Sequence, residues 1–416
     1  MSGELEINKT EIIDRFARHV SSGKADFFAA ARIDFVAGER EGIYLSDLDG
    51  RRLINCHCNG GVFNLGHRNP RLIAALQQAL TTYDIGNHHL LSAPRALLAE
   101  RLAAISPGDL NRVVFGVSGG EAIDLALKLA RAHTRRPGII SAQGGYHGHT
   151  GLALAAGDES YRKPFEPLSP GFTQVPFGEL EALEVAMGED TAAVIFETIP
   201  ATLGIAIPPE DYFAGARRLC DRWGAIMIID EVQTGLGRCG QVWGIDTYGV
   251  TPDILVTGKG LSGGIYPITA TLYSDRLDAF LHANPFIHIS TFGGSEVGCF
   301  VALEVLDILQ EPGFLGHVRD MAGLFEAGFS KLIVKYPKVL VEIRQRGLMM
   351  GLKLANPYYG PWMTVAGFQA GLLAIYANHD PSVLQVLPPL IIQEGEACLM
   401  LTILDGMLSG LEAAFG

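Results

Sequence analysis

The segments AIMIIDEVQTGLGR (225–238) and DILVTGKGLSGG (253–264) decide the fold. Each carries a short apolar run that ends beside an ionisable residue, Asp230 in the first and Lys259 in the second. Runs as continuously apolar as 225–229 and 254–257 read as strands buried on both faces of a parallel sheet. Ligands of open α/β sheets gather outside the carboxyl ends of such strands. Asp230 and Lys259 are therefore expected to converge on one crevice.

A carboxylate there can keep a pyridine nitrogen protonated, and a desolvated lysine amine can form a Schiff base with an aldehyde and later act as a base. The pair suits pyridoxal phosphate. Taken singly, Asp230 is more often a turn cap and Lys259 a solvated loop charge. Taken together they are not, because Lys259 sits between Gly258 and Gly260 in a segment almost free of other charge, where a surface lysine gains nothing from flanking glycines.

Size imposes little limit: 416 residues suffice for one large or two medium domains. With 48% apolar and 19% charged residues the chain is globular rather than disordered, and 50 glycines imply many tight turns. The balance of 32 basic against 45 acidic residues gives −13, which opposes attraction to nucleic acid or anionic lipid and favours small-molecule chemistry. MSGELEINKTEIIDRF at the start lacks the apolar core of a secretory signal, and no run of 18 apolar residues occurs. Six scattered cysteines (56, 58, 220, 239, 299, 398) form no paired framework, so reduced thiols and a cytoplasmic location are expected.

Helix-period and strand-like segments alternate from about 70 to 310, the signature of βα units around a largely parallel sheet. Helices are expected at 70–80, 94–104 and 121–133, and strands at 113–118, 138–141, 192–196, 225–229, 254–257 and 268–273. At the ends, 43–56 reads as a hairpin around Asp49-Gly50 and 320–355 as a helix followed by strands. The expected organisation is a small domain begun by residues 1–60, a large cofactor-binding domain over 61–315, and the rest of the small domain over 316–416.

Ser118-Gly119-Gly120-Glu121 joins a strand to a helix whose free N–H groups would stabilise an anion such as a phosphate. GGYHGHT (144–150) places Tyr146, able to stack on a flat ring, beside His147. Neither His147 with His149 nor Cys56-His57-Cys58 carries a second ligand pair at metal spacing, and alternate residues of a strand face opposite ways; no metal is expected. Gly235 to Gly240 (GLGRCG) fits the G-x-G-x-x-G dinucleotide pattern in letters but does not open a helix directly after the strand. It supports only a weaker alternative, an NAD-dependent oxidoreductase.

The chain as a whole resembles the class III (ornithine/ω-type) aminotransferases of fold-type I pyridoxal phosphate enzymes. The resemblance runs through FNLGHRNP (63–70), SGGEAIDLALKLAR (118–131), YHGHT (146–150), YRKPFEP (161–167), FETIP (196–200), IIDEVQTGLGR (228–238), TGKGLSGG (257–264), STFGG (290–294), RQRGLMMGLKL (344–354) and LPPLII (387–392). It implies an α/β fold with a large domain built on a mainly parallel sheet and a smaller α+β domain drawn from both termini. It implies that Lys259 carries the cofactor and shuttles the proton, and that Asp230 pairs with the pyridine nitrogen. Gln233 is then placed near the phenolic oxygen, Val232 under the ring opposite Tyr146, and Ser118, Gly119 and Gly120 around the phosphate. His147 and Glu197 complete the cofactor-binding set, and Thr291 matches a threonine that reaches the phosphate from the neighbouring subunit of a homodimer.

Departures bear on the substrate. Amino-acid-specific relatives commonly carry EPIQGEGG, whose second glutamate pairs with a late arginine; the stretch 197–204 here is ETIPATLG, with Glu197 kept and Thr202 at the second position, and the late arginine is Gln385. Gly120 stands where threonine or serine is usual, and His88-His89 replace aromatic residues common near the substrate pocket. An aminotransferase acting by ping-pong transfer between an amine or amino acid and a carbonyl acceptor is expected, with a substrate lacking a free α-carboxylate. A racemase, epimerase or decarboxylase of the same fold is the alternative, since the same Schiff base labilises any bond to the α-carbon.

Overall fold

The computed structural model describes residues 8–416, so the first seven residues of the amino-terminal stretch read above lie outside the described residues. Strands β1 (Ala37–Glu41), β2 (Tyr44–Asp47) and β3 (Arg52–Asn55) form an antiparallel meander, and β2 and β3 make the hairpin expected around Asp49-Gly50. The central sheet follows with β4 (Arg112–Gly116), β5 (Gly138–Ala142), β6 (Phe172–Val175), β7 (Thr191–Glu197), β8 (Ile226–Asp230), β9 (Ile254–Thr257) and β10 (Thr269–Tyr273). Its order is β4-β10-β9-β8-β7-β5-β6.

Parallel pairs join β6, β5, β7, β8 and β9, whereas β10 runs antiparallel to both β9 and β4. Thus 254–257 borders a parallel neighbour on one side only, a correction to the all-parallel setting read from its apolar composition. Side chains alternate along each strand. Ile226 and Ile228 of β8 pack with Ile123, Leu127 and Ile195 under the helix Gly119–Thr134. Met227 and Ile229 face the other way, into a core with Val194, Phe196, Leu255, Phe213 and Leu306. Helices on both faces explain why these strands lack polar residues.

A second core lies between the helix Phe314–Lys335, the sheet of β11 (Leu340–Arg346), β12 (Met349–Leu354), β14 (Ile375–Tyr376) and β15 (Val383–Val386), and the helix Glu394–Phe415. Ile54 of β3, with Ile43 and Cys56 flanking the amino-terminal strands, belongs to it, and the two-residue β13 (Leu372–Leu373) pairs in parallel with β3. The helix Glu394–Phe415 is long and apolar enough to cross a membrane, but Ala397, Met400, Leu404, Leu408 and Leu411 are buried in this core. Its hydrophobicity is that of a packed helix.

Arg238 fastens the two cores together. Its guanidinium is 1% exposed and donates to Leu348 O (3.1 Å), Pro388 O (2.6 Å) and Asn64 Oδ1 (2.5 Å). GLGRCG, which contains it, lies in turns with left-handed Leu236 and Gly237, the backbone of a tight reversal and no helix start. Removing the fork leaves three buried acceptors without donors. Arg238→Met is expected to destabilise the protein by roughly 2–4 kcal/mol, read from the urea midpoint, and Arg238→Lys to recover only part of that because one ammonium cannot reproduce the planar fork.

Candidate active site

Pairing of β7 with β8 sets Glu197 directly beside Asp230 at the carboxyl ends of both strands, and Lys259 follows β9 by two residues. All three line one cavity of about 590 Å³ together with Ser118, Gly119, Gly120, Tyr146, His147, Val232 and Gln233. The structure therefore brings together every site residue expected from sequence except Thr291. That residue lies in an exposed segment and does not line the cavity of its own chain.

Asp230 is held on both oxygens. Oδ1 accepts from the Val232 N–H at 3.0 Å and Oδ2 meets His147 Nδ1 at 2.8 Å, with His147 only 3% exposed. Burial works to lower the His147 imidazole, yet its hydrogen bond to Asp230 and the charges of Asp230 and Glu197 outweigh that and raise it. Its Nε2 is buried with no partner. Glu197 accepts the Tyr146 N–H at 2.9 Å, and burial pushes its carboxyl up to about 7, with the neighbouring Asp230 adding to the rise and His147 opposing it.

Lys259 adopts a left-handed φ of 39°, strained for a side-chain-bearing residue. Its glycine neighbours have distinct steric reasons: a Cβ at Gly258 would come within 2.8 Å of Thr269 Cγ2, and one at Gly260 within 2.9 Å of Asn64 Nδ2. Nζ donates to Gln233 Oε1 at 3.0 Å. Burial lowers the ammonium, offset only in part by Asp230 and Glu197, which favours the neutral nucleophilic amine.

At the start of the helix Gly119–Thr134 the Ser118 hydroxyl accepts from Glu121 N at 3.3 Å and serves as the cap. A Cβ at Gly120 would lie 2.8 Å from Thr150 Oγ1, so a hydroxyl from another loop occupies the space beside this glycine. Thr150 lines the cavity and had no assigned role; its only signal in the sequence was membership of the YHGHT run. The segment Gly264–Thr269 was also missed, a loop that turns back from Lys259 to form one wall.

A phosphorylated pyridine aldehyde fits these groups. Two helix-opening glycines, an orphan imidazole nitrogen behind an ordered carboxylate, and a desolvated amine line one cavity. The thiols of Cys56 and Cys58 are buried, with Cys58 opening a left-handed turn rather than extending a strand, and the described residues contain no metal-binding cluster. The tilted rings of His88 and His89 touch in a surface loop and do not line the cavity.

The model of the Aminotransferase class-III family matches residues 28–408. An uncharacterized aminotransferase of Archaeoglobus fulgidus is 58% identical over 388 residues, covering 93% of this chain and 91% of that one. The ornithine aminotransferase of Toxoplasma gondii, solved with partial occupancy of PLP at its active site, superposes with a TM-score of 0.86 at 26% identity, over 98% of this chain and 99% of that one. An (S)-enantioselective omega-transaminase from Thermomicrobium roseum gives 0.89 at 27% identity, over 97% and 99%.

Because burial raises the folded Glu197 above its ordinary 4.5 to about 7, the folded state keeps a proton that the unfolded state loses in that window. Stability attributable to this group thus falls as pH rises from 4.5 to 7, and the cost, roughly 3 kcal/mol, is complete above 7. Glu197→Gln cannot ionise. In the cofactor-free protein its stability relative to wild type should rise by about that amount between the acid and alkaline sides of the window, measured by urea unfolding; a difference independent of pH would contradict the buried carboxyl.

Proposed function

The chain belongs to the class-III aminotransferases, and from that membership we propose the roles of its residues and the kind of substrate they admit. It is a pyridoxal 5'-phosphate-dependent enzyme that moves an amino group from donor to acceptor in two half-reactions. The bound cofactor supplies an aldehyde for covalent attachment of an amine and a cationic ring that accepts the electron pair left when the bond to hydrogen at the substrate α-carbon breaks.

Lys259 is the attaching amine and then the base, its Nζ taking the α-proton, and burial lowers its ammonium toward the amine that both tasks need. Asp230, immobilised by His147 and the Val232 N–H, holds the proton on the pyridine nitrogen. Tyr146 and Val232 would pack on the cofactor ring, Gln233, which accepts from Lys259, would face its phenolic oxygen, and Ser118, Gly119 and Gly120 with the Thr150 hydroxyl would hold its phosphate. Glu197 fixes the Tyr146 backbone.

The observation that carries the substrate reading is that, among the described residues, no arginine lines the cavity. Thr202 donates to Gly144 O at 2.9 Å and Gln385 to Tyr376 O at 3.3 Å, and neither reaches the cavity. Arg344 is committed to Glu342 and Gly204 O, and Arg346 to Glu210. Nothing near Lys259 supplies the planar fork that grips an α-carboxylate. At least one half-reaction accordingly uses a substrate without one: a primary amine, an aldehyde or ketone, or a carrier-linked acyl chain.

A homodimer with shared sites accounts for the surface around Thr291. Phe286, Ile287, Ile289 and Phe292 are exposed beside it, as are Leu90 and Leu91, an apolar concentration that marks a contact surface. Six free cysteines agree with the cytoplasm, and the charge of −13 argues against nucleic acid or anionic membrane as partner.

Lys259→Ala should abolish transamination, and borohydride reduction should fix the cofactor on wild type and not on the variant; an adduct on another lysine would displace Lys259 from this role. For the substrate, an α-amino acid and the amine obtained by its decarboxylation are compared by kcat/KM. The amine should be preferred in one half-reaction by at least about tenfold, the worth of one unrequited charge-assisted contact, and preference for the amino acid in both half-reactions would refute the reading.

A further inference from the structure

The loop that presents Tyr146 is fixed from outside the cavity. Gly144 is gripped on both of its polar groups: its N–H donates to Asp158 Oδ2 at 3.0 Å, and its carbonyl accepts from the Thr202 hydroxyl at 2.9 Å. Asp158 N donates in turn to Gly145 O at 3.0 Å, and Glu197 takes the Tyr146 N–H. Asp158 also caps the short helix Glu159–Arg162 by accepting the Ser160 N–H at 2.9 Å. That helix carries Tyr161, whose ring meets that of Tyr146 edge to face, 5.6 Å between centroids and 73° between planes. One segment thus bears on both the backbone and the ring plane of Tyr146.

The segment is held in turn by the chain between β14 and β15. Asn378 Nδ2 donates to the Tyr161 hydroxyl at 2.8 Å. His379 reaches three neighbours: its N–H donates to Thr202 O at 2.9 Å, its ring packs edge to face on Tyr161 at 5.1 Å, and its Nδ1 faces Asp158 Oδ1 at 3.8 Å. Asp158 and Thr202 are the two residues that grip Gly144, so His379 bears on both sides of the grip. Burial works to raise the Asp158 carboxyl, yet Ser160, His379 and the Gly144 N–H outweigh it and hold the group below the ordinary carboxylate range. Ionised, Asp158 accepts on both oxygens at once. His379 Nε2 is buried with no partner, so the ring acts here through its Nδ1 edge and its packing.

We propose that Asp158 and His379 are positioning residues for the transfer reaction: through Gly144, Thr202 and Tyr161 they aim the Tyr146 ring at the cofactor, and they tie that aim to the seating of the β14–β15 segment. This rests on the reading that Tyr146 packs on the cofactor ring, and it deepens that reading by naming what sets the ring. Neither residue lines the active-site cavity, so both act through Tyr146 and not on the reacting atoms. Thr202, where the sequence departs from the EPIQGEGG pattern, gains a use as one side of the grip.

Amide hydrogen exchange and the visible circular-dichroism band of the bound cofactor are measured on the holoenzyme for wild type, Asp158→Ala, His379→Ala and His379→Phe. The telling amide is that of Tyr146, which is bonded to Glu197 and to neither substituted residue. Its exchange should quicken roughly tenfold in both alanine variants, the equivalent of one hydrogen bond to a charged group, while the Val232 amide, bonded to Asp230, exchanges as in wild type. His379→Phe keeps a ring on Tyr161, removes the nitrogen facing Asp158 and strands no partner of Nε2, so it folds and should fall between wild type and His379→Ala. The dichroism band should shrink in the same order, and kcat should fall with KM little changed. Tyr146 exchange and dichroism equal to wild type in all three variants overturn the assignment, as does acceleration spread evenly over the amides of both cores, the mark of general destabilisation. Failure of the underlying reading shows elsewhere: Tyr146→Leu would then bind the cofactor and give its dichroism as wild type does, whereas exchange at residue 146 in the Asp158 and His379 variants reports on the grip alone.

Discussion

The site depends on carboxylates driven out of water at the ends of two adjacent parallel strands. Register alone puts Glu197 against Asp230, and buried carboxyl groups need hydrogen-bond donors to replace water. The chain answers with donors fixed in the backbone and one imidazole: the N–H of Tyr146 for Glu197, and the N–H of Val232 and Nδ1 of His147 for Asp230. Each donor comes from a loop beginning where a strand ends. The loops cannot shift without stranding a buried charge, so the electrostatics of the site and the conformation of its walls are one constraint.

The same logic extends one residue onward. Glu231, 1% exposed, accepts from Thr234 Oγ1 and from the N–H groups of Gly244 and Ile245, and also from the Thr198 hydroxyl. It ties the segment after β8 to the turn that ends in Arg238, which in turn grips the second core. Buried polar contacts thus hold both the loop after β8, through Glu231, and its junction with the second core, through Arg238. Such networks are costly when incomplete and specify one geometry when satisfied.

Much of this was legible in the sequence, for identifiable reasons. Strands buried on both faces leave uninterrupted apolar runs, and the residues at their carboxyl ends are marked by being the first polar ones; hence Asp230 and Lys259 stood out, and the helix 121–133 was misplaced only at its start, which the structure sets at Gly119. Strand β6 went unseen because FTQV, at the sheet edge, is half-covered and carries no such run. The antiparallel direction of β10 was equally hidden, since composition records burial and not polarity. Pairings between segments far apart in sequence, such as Thr150 beside Gly120 or Gly42 bridged to His67, leave no periodic trace. Thr291 shows the limit most plainly: one chain leaves it outside its own cavity, and only the family resemblance assigns it to a site at all.

The absence of arginine near Lys259 also has a physical coherence. A guanidinium in that cavity would face a lysine that must lose its proton and a ring nitrogen that must keep one, in a low-dielectric setting where like charges repel strongly. Relatives that need the fork balance it with a glutamate; here both members are replaced, by Gln385 and Thr202, each of which turns its polarity to a backbone carbonyl.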